Sequence, residues 1–194
     1  MILDANFPLQ AFPPARPDAM SCTTKLAVQG ISLRLATSSD LPFMRALYGD
    51  LRADELSQVP WPEDTRRAFL DSQFALQHRH FVTAYANADF YIVQNGDAAI
   101  GRYYLLCRAP CYLVVDIALL PSWRGQGIGT SLLAWTQKLV EQDPHATGVD
   151  LHVDERNAGA QRLYSRLGFK VTTRQSPYFG MRWSTVQADQ LNTA

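Results

Sequence analysis

The 194-residue sequence has little cysteine, with only Cys22, Cys107 and Cys111. Three scattered cysteines exclude a disulfide framework. Cys107 and Cys111 have no second pair of ligands nearby, which argues against a zinc site. The sequence therefore predicts no metal, and thiols that stay reduced and buried in a cytoplasmic protein.

The sequence also lacks a net charge and long hydrophobic runs. Eighteen basic residues balance eighteen acidic ones, so no overall field attracts nucleic acid or an anionic membrane. No stretch is long and apolar enough to span a membrane. The N-terminus has no basic segment ahead of an apolar one, so it does not resemble a signal peptide. We therefore expect no nucleic-acid partner and no membrane partner.

The composition that remains is that of one globular domain. A hydrophobic fraction of 47% and a charged fraction of 19% suit a chain of this length with a sizeable core. Residues 1–29 are rich in proline and have neither helical nor strand periodicity, so we expect a disordered N-terminal tail. The domain is predicted over residues 30–185, and a C-terminal tail over residues 186–194.

Hydrophobic periodicity predicts the order strand, two helices, three strands, helix, strand, helix, two strands. A hairpin is expected to turn at Asn95-Gly96-Asp97. The nearly continuous apolar run Tyr112–Leu120 and the run Val149–Val153 are typical of strands covered on both faces. Because a meander precedes the alternating part, the order predicts an α/β fold with a mixed sheet of about seven strands and helices on both faces.

The most informative segment runs from Leu119 to Ser131, where a covered strand leads into a glycine-rich turn and then a helix. The first turn of a helix presents unpaired N–H groups at the positive end of the helix dipole. Such a turn is an anion site, and a phosphate is its natural occupant. Glycine lets the backbone approach the phosphate closely. Thr130 can add a hydroxyl donor and Arg124 a charge.

Three classes of phosphate-binding loop compete for this segment. A Walker-type loop needs a lysine before the Ser/Thr that follows its last glycine, but Thr130 follows Gly129 directly. A dinucleotide fingerprint needs G-x-G-x-x-G. From Gly125 the spacing is G-x-G-x-G, and Thr130 stands at the place of the final glycine. A nucleotide-cofactor dehydrogenase therefore remains only a weak alternative.

The third class fits at every defined position. Arg124-Gly125-Gln126-Gly127-Ile128-Gly129 resembles the R/Q-x-x-G-x-G/A motif of the GNAT superfamily of acyltransferases. The order N-x-x-A-x-x-x-Y-x-x-L-G-F follows downstream and resembles the second GNAT signature. It is formed by Asn157, Ala160, Tyr164, Leu167, Gly168 and Phe169. With the order of elements from Ile31 to Trp183, the sequence is identified as a member of that superfamily.

The resemblance implies the transfer of an acetyl group from acetyl-coenzyme A to a primary amine. In such proteins a mostly antiparallel sheet splays between its fourth and fifth strands, and the pantetheine arm enters the gap like an added strand. Ile117 and Leu119 would then be its backbone partners. The pyrophosphate would bind along Arg124, Gly125, Gln126, Gly127, Ile128, Gly129 and Thr130. Asn157 would reach the arm from the other lip; a plain helix N-cap is its alternative role, and both can hold together.

The resemblance also places Tyr164 near the sulfur of the cofactor. There its phenol would act as the general acid that protonates the departing thiolate as the amine attacks directly. The alternative is a buried aromatic side chain that packs the last helix, because Leu163 and Leu167 flank it.

Asp116 is the only acid in the apolar run, and an acid there is costly unless it is used or paired. In relatives, carboxylates on this strand act as a base through water or anchor the amine, so Asp116 is the second catalytic candidate. The alternative is a structural salt bridge, for instance to Arg102 or Arg34. His152 and Glu155 are reserve bases.

The acceptor is expected at two turns, residues 56–63 and 176–180. Trp61, Tyr178 and Phe179 could line an apolar pocket there, unless at least one of them belongs to the core. The acceptor is either a small molecule or a peptide amine, and a homodimer is possible.

The competing function is a domain that binds acyl-coenzyme A as a sensor without turnover. His78, Arg79 and His80 are predicted to be a solvated helix end rather than a site.

Overall fold

The computed structural model describes residues 9–14, 24–26 and 30–185. Within them, eight strands form one sheet and four α-helices cover it. The strands are β1 (Thr24–Lys25), β2 (Ile31–Leu35), β3 (Asp89–Asn95), β4 (Ala98–Leu106), β5 (Cys111–Leu119), β6 (Gly148–Asp154), β7 (Lys170–Gln175) and β8 (Tyr178–Ser184). The helices are α1 (Leu41–Ser57), α2 (Glu63–Ala84), α3 (Ile128–Gln142) and α4 (Ala158–Arg166).

The strands lie in the order β1-β2-β3-β4-β5-β6-β8-β7. Only β5 and β6 run parallel, and the other neighbours are antiparallel. The predicted mixed, mostly antiparallel sheet is confirmed. The seven predicted strands are β2–β8, so the predicted fourth and fifth strands are β5 and β6. The two-residue β1 adds an eighth strand at the edge.

The sheet has two differently covered faces. Helices α3 and α4 pack on one, which we call the α3/α4 face, through Ile128, Leu132, Leu133, Val140 and Tyr164. Helices α1 and α2 pack on the other, the α1/α2 face, through Met44, Tyr48, Phe74 and Val82. Apolar residues of β3, β4 and β5 alternate between the two faces, as a strand buried on both sides requires.

Residues of the two motifs set the start of α3 and both ends of α4. Gly127 precedes α3 in the left-handed conformation, with φ at 80°. The side chain of Asn157 caps α4. Gly168, with φ at 86°, follows the end of α4 and allows the chain to reverse into β7. Local chemistry thus fixes where both helices start.

Two segments within the predicted N-terminal tail contact the domain. Phe12 packs on the α1/α2 face, its ring centroid 5.0 Å from that of His78 and 5.4 Å from that of Phe90. Thr24–Lys25 pairs with β2. Isolated apolar residues between prolines show no periodicity, so the pattern cannot reveal that they dock. The remaining residues of both predicted tails, 1–8, 15–23, 27–29 and 186–194, lie outside the described residues.

The prediction of a solvated helix end is wrong for His78. Its side chain is only 2% exposed, because α2 continues to Ala84 and His78 stands at helical spacing between Phe74 and Val82. Its Nε2–H donates to the carbonyl oxygen of Gln10 at 2.7 Å. Arg79 and His80 are exposed, as predicted.

No helix among the described residues has the length and apolar character to cross a membrane. Cys107 and Cys111 form no disulfide, and both are half-buried rather than buried, because they flank the turn between β4 and β5. In the described part of the chain, no three His, Cys, Asp or Glu side chains are grouped as metal ligands. The cytoplasmic location stays a prediction.

Candidate active site

A gap opens between the two parallel strands. β5 and β6 pair over only four residues, from Cys111 opposite Gly148 to Val114 opposite Leu151. Beyond that point β5 continues along β4 to Leu119, whereas β6 continues along β8 to Asp154. The predicted splay is therefore present, and the second half of β5 has one unpaired edge.

The backbone of that edge faces the gap at two of the predicted positions. Leu120 N–H donates to the carbonyl of Ile100 in β4 at 2.9 Å. Because backbone groups alternate along a strand, Ala118 also faces β4, whereas Ile117 and Leu119 face the gap. The carbonyl of Leu119 accepts a hydrogen bond from Arg124 Nε at 3.1 Å. Ile117 is thus the more open of the two.

A β-bulge in β5 decides where Asp116 points. Tyr104 pairs with Asp116 and Leu105 with Val114, so Val115 is the extra residue. Val114 packs on the α3/α4 face and Val115 on the α1/α2 face. Without the bulge Asp116 would return to the α3/α4 face. With it, Asp116 shares the α1/α2 face with Tyr104, its partner in the ladder.

Asp116 is held in an ion pair, and the salt-bridge alternative is confirmed for Arg102. Arg102 Nε donates to Asp116 Oδ2 at 2.6 Å. Arg102 is only 2% exposed and Asp116 is half-buried. Arg34 binds Asp40 instead. Oδ1 of Asp116 has no hydrogen-bond partner among the described residues.

Tyr164 approaches the gap from the opposite face. The residue is 5% exposed, and its ring packs against Phe169 with 6.0 Å between centroids. Burial, and to a lesser extent the negative charge of Asp116, raises the pKa of Tyr164 to about 12. The hydroxyl makes no hydrogen bond within the described residues. Its oxygen is not among the fully buried polar atoms that lack a partner there. Tyr164 is therefore a protonated phenol with accessible space at its tip, near the Asp116 carboxylate.

The glycine-rich loop before α3 leaves its backbone open. Gly125 and Gly127 have φ values of 74° and 80°, and a Cβ on either would meet nothing within 4 Å. The N–H groups of residues 125–130 have no acceptor within the described part of the chain. Gln126 Nε2 ties the loop to the carbonyl of Ser122 at 2.8 Å. This is the arrangement of donors that binds a phosphate.

Gly129 has a different local role from the other two glycines. A Cβ at this position would lie 3.2 Å from Cδ2 of Leu163 in α4. The glycine therefore lets α3 and α4 pack closely beside the gap. The sequence motif alone assigns all three glycines to the phosphate, and only the packing separates them.

Asn157 is a helix N-cap. Its Oδ1 accepts the N–H of Ala160 at 3.0 Å, which confirms the alternative role given to it. Its contact with a cofactor stays a prediction.

The three residues predicted to bind the acceptor differ in their exposure and in the neighbours they pack against. Trp61 is 37% exposed and packs edge-on against Phe69 at 5.1 Å. Tyr178 is 51% exposed. Phe179 is half-buried beneath the guanidinium of Arg174, 4.7 Å from the ring centroid. Their role in substrate binding stays a prediction.

The two reserve bases are both exposed. His152 is exposed on β6, opposite Gly180. Glu155 Oε1 accepts a hydrogen bond from Ser176 Oγ at 3.2 Å in the turn after β6.

Sequence reasoning missed one residue next to the site. Gln77 lies in α2, and its Oε1 accepts a hydrogen bond from Arg102 Nη2 at 2.9 Å. A signal was available, since β4 carries one charged residue in an apolar run, as β5 does. Two such strands side by side predict a buried pair, though not its third member.

Comparisons with known proteins agree with this geometry. The family model described as the acetyltransferase (GNAT) family matches residues 44–169, which is more than half of the chain. An N-alpha-acetyltransferase of Sulfurisphaera tokodaii is 44% identical over 57 residues. That match spans 29% of this chain and only about a third of the relative, 34% of its length.

Two solved structures show the same fold. The PaiA N-acetyltransferase of Thermoplasma acidophilum in complex with coenzyme A has a TM-score of 0.61 at 17% identity, covering 80% of this chain and 99% of the other. An acetyltransferase of Salmonella typhimurium, described as modifying the N-terminal serine of the 50S ribosomal subunit protein L7/L12, has a TM-score of 0.54 at 14% identity. That alignment covers 81% of this chain and 96% of the other.

Proposed function

Because the chain belongs to the GNAT family of acetyltransferases, we propose that it transfers an acetyl group from acetyl-coenzyme A to a primary amine. The observation that carries the proposal is the gap between β5 and β6, with the Tyr164 phenol on one side and the Asp116 carboxylate on the other. An amine and a thioester could meet there from opposite faces of the sheet.

The residues around the loop fit the cofactor's charged and polar parts. The open N–H groups of residues 125–130 and the guanidinium of Arg124 would hold the pyrophosphate. The free space at Gly125 and Gly127 supports a close approach of the phosphates to the backbone. Ile117 and Leu119 would pair with the pantetheine arm as an added strand does. Asn157 would approach the arm with its amide nitrogen, since its oxygen caps α4.

Acetyl-coenzyme A supplies a thioester whose carbonyl carbon the amine attacks, so that a C–N bond forms and the C–S bond breaks. Tyr164 would donate its proton to the sulfur as the thiolate leaves. The raised pKa of about 12 keeps the phenol protonated at neutral pH, which an acid in this position requires.

Asp116 fits an anchor better than a base. Its Oδ2 already accepts a hydrogen bond from Arg102 Nε at 2.6 Å. Oδ1 is then left to accept a hydrogen bond from the acceptor nitrogen. Water would take the proton that the amine loses.

The acceptor we would test first is the α-amine of a peptide. The relative of Salmonella typhimurium is described as acting on an N-terminal serine, and the relative of Sulfurisphaera tokodaii is named an N-alpha-acetyltransferase. A small-molecule amine is the second class. A homodimer and a cytoplasmic location remain predictions alongside this function.

The test combines binding with turnover. Acetyl-coenzyme A at 100 times its Kd should stabilise the protein by about 2.7 kcal/mol through mass action, and NAD should not. Release of free thiol is then followed with a short peptide bearing an N-terminal serine, the same peptide with a blocked N-terminus, and spermidine. Binding without thiol release from any amine would indicate the sensor instead, and a melting shift with NAD alone would overturn the proposal.

A further inference from the structure

Asp116 is one end of a polar chain on the α1/α2 face, of which only the middle residue, Arg102, is fully buried. Arg102, in the middle of β4, donates to Asp116 Oδ2 through Nε at 2.6 Å and to Gln77 Oε1 through Nη2 at 2.9 Å. Its guanidinium carbon also lies 5.7 Å from the ring centroid of Phe81 and 5.5 Å from that of Tyr104. The guanidinium is thus fixed by α2 on one side and by β5 on the other.

Stability alone is a weak reason for such a chain. Removing a guanidinium and a carboxylate from water costs about as much as their attraction returns, and well-packed apolar residues often replace a buried ion pair without loss. An apolar replacement would find apolar neighbours on this face, since Phe81, Tyr104 and Val115 pack there. What the pair provides beyond stability is a carboxylate held in one orientation.

The orientation matters because only one carboxylate oxygen is engaged. Arg102 and Gln77 fix the direction of Oδ2, and Oδ1 is left without a partner among the described residues. Lysine could neutralise Asp116 but has no planar fork with which to hold Gln77 and Asp116 at fixed angles. The hydrogen-bond donors of arginine are therefore what the arrangement requires.

We propose that Arg102, held by Gln77, is a positioning residue that fixes the carboxylate of Asp116 for the acceptor amine. The inference rests on the proposed acetyl transfer, and it concerns the amine rather than the cofactor. Loss of either hydrogen bond of Arg102, to Asp116 or to Gln77, should therefore raise the KM for the amine. It should leave the stabilisation by acetyl-coenzyme A intact, because the pyrophosphate loop and the β5 edge are unchanged.

The test uses the peptide with an N-terminal serine, or whichever amine of the panel the wild-type protein accepts. Arg102→Lys keeps the charge and should lower kcat/KM for the amine about 10- to 100-fold, the range of a lost charge-assisted hydrogen bond. Gln77→Ala keeps the ion pair and should give a smaller change in the same direction. Gln73→Ala is the matched control, since this glutamine lies half-buried one helical turn earlier in α2 and should leave the KM unchanged.

A double-mutant cycle separates positioning from structure. If Gln77 acts through Asp116, Gln77→Ala should have no further effect on kcat/KM in an Asp116→Asn background. Additive effects, or a Gln77→Ala protein with lowered melting temperature and an unchanged KM, would overturn the inference. If Asp116→Asn does not fold, the melting temperature and the KM of the Gln77→Ala protein alone test the inference. A wild-type protein without an acetyl-coenzyme A shift would overturn the proposed function itself, and this inference with it.

Discussion

The two faces of the sheet handle charge in opposite ways. On the α3/α4 face, an anionic cofactor would be met by neutral backbone amides at the start of α3, beside a tightly packed apolar core. On the α1/α2 face, a cationic amine would be met by a carboxylate that a buried arginine holds in place. Fixed dipoles suit a ligand that carries several charges of its own. A single carboxylate with a fixed direction suits a small reacting group that must be held in one orientation.

Removing one hydroxyl from the α3/α4 face should have the largest effect. Tyr164→Phe keeps the packing against Phe169 but removes the proton donor. Turnover should fall about 100- to 10,000-fold, the range of a positioned acid. The stabilisation by acetyl-coenzyme A should stay close to that of the wild type. Steady-state kinetics and melting curves measure the two quantities.

A second buried tyrosine on the same face provides the control. Tyr103 is fully buried, and its hydroxyl is hydrogen-bonded to Thr136 Oγ1 at 2.7 Å. Tyr103→Phe should cost about 1 kcal/mol of stability and leave turnover unchanged. If Tyr164→Phe reacts at the wild-type rate with chemistry rate-limiting, Tyr164 only packs the helix.

The next largest effect should come from the loop itself. Gly127→Val places a branched side chain where the pyrophosphate would lie, so the stabilisation of about 2.7 kcal/mol at 100 times the wild-type Kd should disappear. The matched control is Gly96→Val in the β3–β4 turn. Gly96 also has a positive φ, 56°, and open space around it, so both variants bear a similar kind of backbone strain. Equal cofactor affinity in both folded variants would place the pyrophosphate elsewhere.

Local signals were enough to predict the order of the elements and the loop. Periodicity and apolar runs mark the strands β2–β8 and the four helices, and Gly127, Asn157 and Gly168 set helix ends through their own neighbours in the chain. The α3/α4 face is therefore the better predicted one. Its candidate site residues lie in contiguous motifs, whose geometry a strand, a turn and a helix impose.

The α1/α2 face depends on contacts that a local pattern does not contain. His78 and Gln10 are separated by 68 positions in the sequence. The bulge at Val115 appears only when β5 is laid against β4, and it decides which face Asp116 occupies. The cost of Asp116 in an apolar strand predicts either a catalytic role or an ion pair, whereas no local pattern predicts that residues 9–14 dock on this face.

That docked segment should contribute measurably to stability. Phe12→Ala removes a half-buried ring from His78 and Phe90, and it should lower the free energy of unfolding by about 2 kcal/mol, within the range for a large apolar side chain. Tyr178→Ala removes an aromatic ring that is exposed and should change stability little. Urea denaturation compares the two. Equal midpoints for both variants would mean that the segment does not pack on the domain in solution.

The smallest effect should be a pH dependence confined to the α1/α2 face. Burial lowers the pKa of His78, the hydrogen bond to Gln10 opposes this, and the charge of Arg102 lowers it further. The unfolded chain binds a proton near the ordinary pKa of about 6.5, whereas the folded protein binds it only at lower pH. The contribution of His78 to the free energy of unfolding is therefore fully present above about pH 6.5 and is lost as the pH falls through the folded pKa.

His78→Gln can still donate to the Gln10 carbonyl but does not titrate, so its urea midpoint should decline less than that of the wild type below about pH 6.5. His80→Gln, at an exposed position of the same helix, should follow the wild-type curve. Parallel curves for the wild type and His78→Gln would mean that His78 is not buried as a neutral side chain.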